Sequence, residues 1–263
     1  MQTYKNLVVS SIYNLLEEKS VNNLSIYFTA GFPKLDDTAK VIQELSNADV
    51  DFIEVGLPYS DPLADGPTIQ KSSQKALQNG MNLDVVFDQL LEIKATNNTP
   101  LVLMGYLNQL LKYGEDKFCQ KVVDCGIDTL ILPDLPMVEY ENHYQSLFNS
   151  YGLNNVFLIT PQTSIERILK IDSYTKSFIY MVASSSITGA KGEISEDQLA
   201  YFKRIKSMNL KSKLMIGFGI SDHQTFSKAC EYGNGAIIGS AFIESLEKNG
   251  VEKTTTFVES ILN

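Results

Sequence analysis

The sequence has little cysteine and little histidine, no excess of positive charge and no long apolar run. Its three cysteines, Cys119, Cys125 and Cys230, form no CxxC pair. An odd, sparse set excludes a disulfide framework and suits reduced thiols packed inside a cytoplasmic protein. The two histidines, His143 and His223, lie in polar, helix-like stretches, so no metal site is expected. Lysine and arginine total 22 against 31 acids, a net charge of −9. Without a basic stripe, neither nucleic acid nor an anionic membrane surface is an expected partner. No stretch of about 18 apolar residues offers a membrane span. Near the N-terminus Val8, Ile12, Leu15 and Leu16 fall on one helical face, interrupted by acids and Asn. That is the pattern of an extra N-terminal helix rather than of a signal peptide.

What is present is a large apolar content, 44% of 263 residues, with no linker-like stretch to divide it. A single domain over 1–263 is expected. Short runs rich in Ile, Val, Phe and Tyr recur at 24–29, 51–56, 100–106, 128–133, 155–160, 177–182, 213–218 and 235–239. They are continuous rather than alternating, as strands buried on both faces are. Helical patterns lie between them, such as 35–48 and 221–233, the second with Ser221 as N-cap and Gly233 as terminator. The wide gap at 57–99 has room for an extra short helix. Eight strand–helix units predict an α/β protein of the (β/α)8 TIM-barrel class. A doubly wound open sheet is the alternative that the count of eight disfavours.

Ligands of parallel α/β proteins meet the carboxyl ends of the strands. There the segment FIEVGLPYSDPLADGP, residues 52–67, places Glu54 inside an otherwise apolar strand. An ionised carboxylate is costly to bury unless it is paired, protonated or used. Asp65 follows in a loop stiffened by Pro58, Pro62 and Pro67, just before a helix. An N-cap or turn role would explain Asp65, and a turn would explain Asp61. Two carboxylates at one barrel mouth would serve acid–base chemistry. SITGAKG at 186–192, GFGIS at 217–221 and GAIIGSAF at 235–242 end the last three strands. Glycine admits close backbone approach, and a helix N-terminus favours an anion. A phosphate is expected there, held by backbone dipoles and the Ser240 hydroxyl, since the last two motifs hold no Lys or Arg. Lys191 is the nearest basic residue.

FIEVGLPYSDPLADGPTIQ closely resembles the signature of the tryptophan synthase α subunit family. LSIYFTAGFP, PDLP at 133–136, Thr188-Gly189, GFGI and GAIIGSA follow in that family's order and spacing. The resemblance covers nearly the whole chain. It implies a TIM barrel that cleaves indole-3-glycerol phosphate to indole and glyceraldehyde 3-phosphate. It also implies a pyridoxal-phosphate-bearing β subunit as partner, in an α2β2 hetero-tetramer, with no cofactor in this chain. On this resemblance Glu54 is the acid–base residue and Asp65 orients and stabilises the indole. Tyr180 faces the substrate, and Tyr27, Met104, Ile131, Leu158 and Phe218 line the indole pocket. Gly189, Gly219, Gly239 and Ser240 contact phosphate. Pro58 and Asp61, on a loop expected to stand exposed, meet the β subunit. The sixth loop reads Ser186-Ile187-Thr188-Gly189 where the family commonly has Gly-Val-Thr-Gly, and Tyr59 stands where Phe is common. The loop 183–196 is expected to be mobile without ligand. Other phosphate-binding barrel enzymes and a catalytically silent barrel remain alternatives. A Schiff-base aldolase would want a lysine late in the sixth strand, which SFIYMV lacks.

Overall fold

The eight apolar runs become eight strands. The structure, a computed structural model, describes residues 10–183, 195–217 and 219–263. The strands are β1 (Asn23–Thr29), β2 (Phe52–Gly56), β3 (Leu101–Met104), β4 (Thr129–Ile131), β5 (Asn154–Ile159), β6 (Phe178–Val182), β7 (Lys213–Gly217) and β8 (Gly235–Ile238). Each pairs in parallel with the next, and β8 returns to β1, so the sheet closes. This is the expected (β/α)8 barrel.

The helices follow in order. They begin with α1 (Ser11–Glu18), α2 (Asp37–Asn47), α3 (Pro67–Gln78), α4 (Leu83–Ile93), α5 (Leu107–Tyr113) and α6 (Glu115–Asp124). Next come α7 (Met137–Glu139), a π turn over Tyr140–Tyr144, and α8 (Gln145–Tyr151). The last are α9 (Ile165–Tyr174), α10 (Glu196–Ser207), α11 (His223–Cys230), α12 (Ser240–Asn249) and α13 (Thr254–Leu262). Two sequence expectations need correction. The stretch after β2 does hold an extra helix besides α3, but α4 is a full helix of 11 residues, not a short one. Helix α11 is capped by Asp222, whose side chain accepts the Thr225 N–H at 2.8 Å, not by Ser221. A carboxylate followed by Thr225 completes a reciprocal capping box that Ser221 is one residue too early to make. The helix also stops at Cys230, short of Gly233.

Alternation along each strand divides the core in two. On β2, Ile53 and Val55 face the helices, while Phe52 and Glu54 face the barrel axis. The axial layer contains Tyr27, Phe52, Val102, Ile131, Val156, Phe178, Tyr180, Met215 and Ile237. Because both faces are covered, neither set of positions can be polar without a reason. Helix α1 completes the axial layer from one end, where Ile12 and Leu16 pack against it, fully buried. Its position is fixed by residues just ahead of the strands. Asp128, before β4, accepts the Ser11 N–H at 2.7 Å, and Asp51, before β2, pairs with Lys19 at 2.7 Å. Helix α1 therefore lies across the N-terminal end of the barrel, and the opposite, C-terminal end is the mouth. Among the described residues no helix is long and apolar enough to cross a membrane.

Candidate active site

Glu54 sits on the third position of a five-residue strand, with Tyr27 beside it on β1 and Val102 on β3. It is completely buried, and neither carboxylate oxygen has a hydrogen-bond partner. Desolvation raises its pKa from 4.5 to about 8. The Ser25 hydroxyl on β1 pulls slightly the other way, but it makes no hydrogen bond of good geometry with the carboxylate. A carboxyl group in this setting is a neutral acid at pH 7.

Asp65 reaches the same mouth from the loop between β2 and α3. It does not cap α3, whose N-cap is Gly66 and whose first residue is Pro67. Its carboxylate instead accepts a hydrogen bond from the Tyr106 hydroxyl at 3.0 Å. The same phenol oxygen accepts the Ala64 N–H at 3.1 Å. Tyr106 stands just after β3, stacked on Tyr59 with ring centroids 5.1 Å apart. The Tyr59 hydroxyl accepts a hydrogen bond from Asn108, and the Pro58 carbonyl accepts one from Gln109. The loop is thereby sewn to the β3–α5 turn at three points. Burial raises the Asp65 pKa from 3.8 to about 6, and the Tyr106 hydrogen bond moderates the rise. At pH 7 Asp65 is mostly ionised while Glu54 is mostly protonated.

Two buried phenols flank Glu54. Tyr27 and Tyr180 are held protonated, far above the ordinary tyrosine value, chiefly by desolvation, with the charges of Glu54 and Asp65 adding to it. Their hydroxyls occupy the space a Cβ would take at Gly56 and Gly217, the last residues of β2 and β7. Those glycines make room for the phenol tips. Ile131 joins the same axial cluster, and Met104 and Leu158 pack against it, partly exposed. Tyr27 and Tyr180 thus lie beside both carboxylates, and Met104, Ile131 and Leu158 belong to the same axial layer.

At the other side of the mouth, Gly219 follows β7 with φ +79° and is exposed. Gly239 follows β8 as N-cap of α12 and supplies no side chain to the helix's first N–H groups, while Ser240 opens that helix, exposed. Gly189, Lys191, Phe218 and most of the loop 183–196 lie outside the described residues. Tyr106 was missed by sequence reasoning. Its position at the end of the apolar run 100–106, two residues past β3, was the available signal. The expectation of an exposed loop also needs correction: Leu57, Pro58 and Pro62 are buried, and only the tip is open, with Asp61 exposed and Leu63 at 94% exposure. Pro58 turns inward because Gln109 anchors its carbonyl. A groove of about 270 Å³ between α3 and α12, lined by Phe32, Lys71 and Glu247, lies on the outer wall and holds neither Glu54 nor Asp65. Among the described residues no cluster of three or more His, Cys, Asp or Glu is arranged to hold a metal.

A family profile described as "Tryptophan synthase alpha chain" matches residues 13–262. A tryptophan synthase alpha chain of Christiangramia forsetii is 55% identical over 238 residues, spanning 90% of this chain and 93% of that protein. One of Flavobacterium psychrophilum is 53% identical over 247 residues, 94% of this chain and 97% of that protein. Among solved structures, the tryptophan synthase A-subunit of Pyrococcus furiosus is 32% identical with a TM-score of 0.84, covering 92% of this chain and 98% of its own. Tryptophan synthase of Mycobacterium tuberculosis superposes with a TM-score of 0.86 at 25% identity, covering 97% of both chains.

The burial of Glu54 has a measurable consequence. At pH 7 the folded chain retains a proton on Glu54 that the unfolded chain has released, so this group's contribution falls as pH rises from about 4.5 to about 8. Glu54→Gln removes that dependence. Its unfolding free energy relative to wild type should climb across this window, reaching a gain on the order of a few kcal/mol at pH 8 and above. A difference that stays flat from acid to alkaline pH in calorimetry would show that Glu54 ionises freely in the folded chain.

Proposed function

Since the chain belongs to the tryptophan synthase alpha chain family and cleaves indole-3-glycerol phosphate in tryptophan biosynthesis, we propose that Glu54 and Asp65 divide the acid–base work of that cleavage. The observation that carries this reading is the carboxyl group of Glu54, wholly buried on the barrel axis with both oxygens unpartnered. Protein interiors keep such a group only where something offsets its cost.

The reaction breaks the bond between indole C3 and the first carbon of the glycerol chain. Indole is a poor leaving group until C3 carries a proton. Glu54, neutral near pH 7, donates that proton, giving an indolenine cation with its positive charge toward the ring nitrogen. The carboxylate of Asp65, held by Tyr106, stabilises that cation at the ring N–H. Glu54 is now a carboxylate and removes the proton of the adjacent chain hydroxyl. The C–C electron pair moves into the ring, the hydroxyl carbon becomes the aldehyde of glyceraldehyde 3-phosphate, and neutral indole is released. Glu54 ends protonated, as it began. The two carboxylates need opposite states, and their environments supply them.

The phosphate reading rests on position and on the family. N–H groups of Gly219, Gly239 and Ser240 would hold the phosphate together with the helix dipole of α12, and Gly189 joins them by resemblance. Tyr27, Met104, Ile131, Leu158 and Tyr180 would form the wall for the ring, and Phe218 joins them by resemblance.

The partner in this reading is a tryptophan synthase β subunit, in an α2β2 assembly, and pyridoxal phosphate belongs to that subunit. The loop tip supports this. Leu63 is a large apolar residue almost fully open to solvent, beside the exposed Asp61, two and four residues ahead of Asp65. A partner covering this tip receives indole directly, which matters for a small apolar product that crosses membranes. Docking would also bias the loop toward the conformation that aligns Asp65.

Glu54→Gln and Asp65→Asn should each lower indole release by roughly 10² to 10⁴, assayed with the β subunit present, while keeping the fold. In wild type, kcat/KM should follow a bell with limbs near pH 6 and pH 8, the lower from Asp65 and the upper from Glu54. Near-wild-type turnover by either variant would overturn the assignment. Separately, Leu63→Asp or Asp61→Lys should blunt activation by the β subunit and leave the basal rate of the isolated chain within about two-fold, because both side chains are open to solvent. Full activation of both variants would remove the loop tip from the interface.

A further inference from the structure

Tyr27 spans the distance between the two halves of the site. On one side its ring covers β8, where a Cβ on Gly239 would lie 3.4 Å from Tyr27 Cδ1. On the other its hydroxyl crosses to β2 and fills the space above Gly56, two residues beyond Glu54 toward the mouth. The phenol thus runs from the glycine at the head of α12 to the acid–base pair, and both Asp65 and Glu54 act on it. It is 5% exposed and lies in an apolar wall with Ile69 and Ile237. The nearby Thr29 hydroxyl is engaged with Ser72 at 2.6 Å and makes no hydrogen bond of good geometry with the phenol. The phenol carries its proton throughout the working pH range. A ring alone would fill such a wall. A hydroxyl placed there needs a partner, since an unsatisfied buried donor costs about 1–3 kcal/mol.

A substrate with its phosphate at Gly219, Gly239 and Ser240 and its ring at Asp65 must lay the connecting carbons past Tyr27. We propose that the Tyr27 hydroxyl hydrogen-bonds a hydroxyl of that three-carbon chain and so makes Tyr27 the residue that distinguishes a hydroxylated chain from a plain alkyl one. This rests on the reading of the site given above and assigns Tyr27 a role beyond lining the ring pocket. A site that pairs with a substrate hydroxyl discriminates against analogues lacking it, whereas an apolar wall does not.

The test compares Tyr27→Phe with wild type, both in complex with the β subunit, on two molecules. One is indole-3-glycerol phosphate. The other is 3-(indol-3-yl)propyl phosphate, which keeps the ring, three carbons and phosphate but has no chain hydroxyl. The variant should lose about ten-fold in kcat/KM for the substrate, as expected for one neutral hydrogen bond in a buried site. Its Kd for the propyl analogue should stay within about two-fold of wild type, which also reports an intact pocket. Equal losses on both molecules would reduce Tyr27 to a shape-filling wall, and no loss on either would show its hydroxyl idle. Each result overturns the inference while leaving the Glu54–Asp65 assignment standing. Failure of the wild type to cleave would instead sink that assignment, and this inference with it.

Discussion

A single carboxyl group with no partner, buried on the axis of a closed barrel, sets the terms for the rest of this molecule. Glu54 cannot ionise cheaply where it stands. Holding it there requires a strand that cannot move, walls that admit little water and an end that is closed. Parallel pairing on both sides of β2 supplies the first, the axial layer of Phe, Tyr, Ile and Met the second. Helix α1 supplies the third by placing Ile12 and Leu16 under the axial layer. The resulting site opens only at its mouth, which is where a phosphorylated substrate would enter.

Asp65 meets the opposite requirement and is built differently. It arrives on a loop, remains partly exposed and receives a hydrogen bond that Glu54 lacks. The two acids are separated in pKa by about two units, more through environment than through the ordinary difference between Glu and Asp. Tyr106 is central to this difference, because one hydroxyl both steadies the Asp65 carboxylate and accepts the Ala64 N–H of the same loop. The stack of Tyr59 on Tyr106 links the loop tip, where Leu63 is exposed, to the position of the carboxylate. That linkage gives a partner at the tip a physical route to the chemistry.

The barrel was legible in the sequence because burial on both faces leaves continuous apolar runs, and the observed strands fall within a few residues of them. The same logic singled out Glu54, a charge inside such a run. What the sequence hid was set by distant partners or by near-degenerate local choices. Asp65 ahead of Pro67 reads equally well as a helix cap, and only its contact with Tyr106, 41 residues away, decides otherwise. Ser221 and Asp222 are both good caps, and the position of Thr225 chooses between them. Pro58 looked like a surface residue because it lies on a loop at the barrel mouth. The Gln109 hydrogen bond that turns it inward comes from another loop. The roles of Gly56 and Gly217 could not be read at all, since their neighbours are the tips of tyrosines on other strands.

The central claim is that Glu54 is a neutral acid at physiological pH, and it is open to direct observation. The chain labelled with carboxyl-13C glutamate should show one resonance titrating near pH 8, absent from Glu54→Gln, while other glutamates titrate near their ordinary values. A spectrum in which the resonance lost in Glu54→Gln titrates between about pH 4 and 5 would contradict the account. Glu54 would then be charged at rest, and the first proton given to indole would have to come from elsewhere.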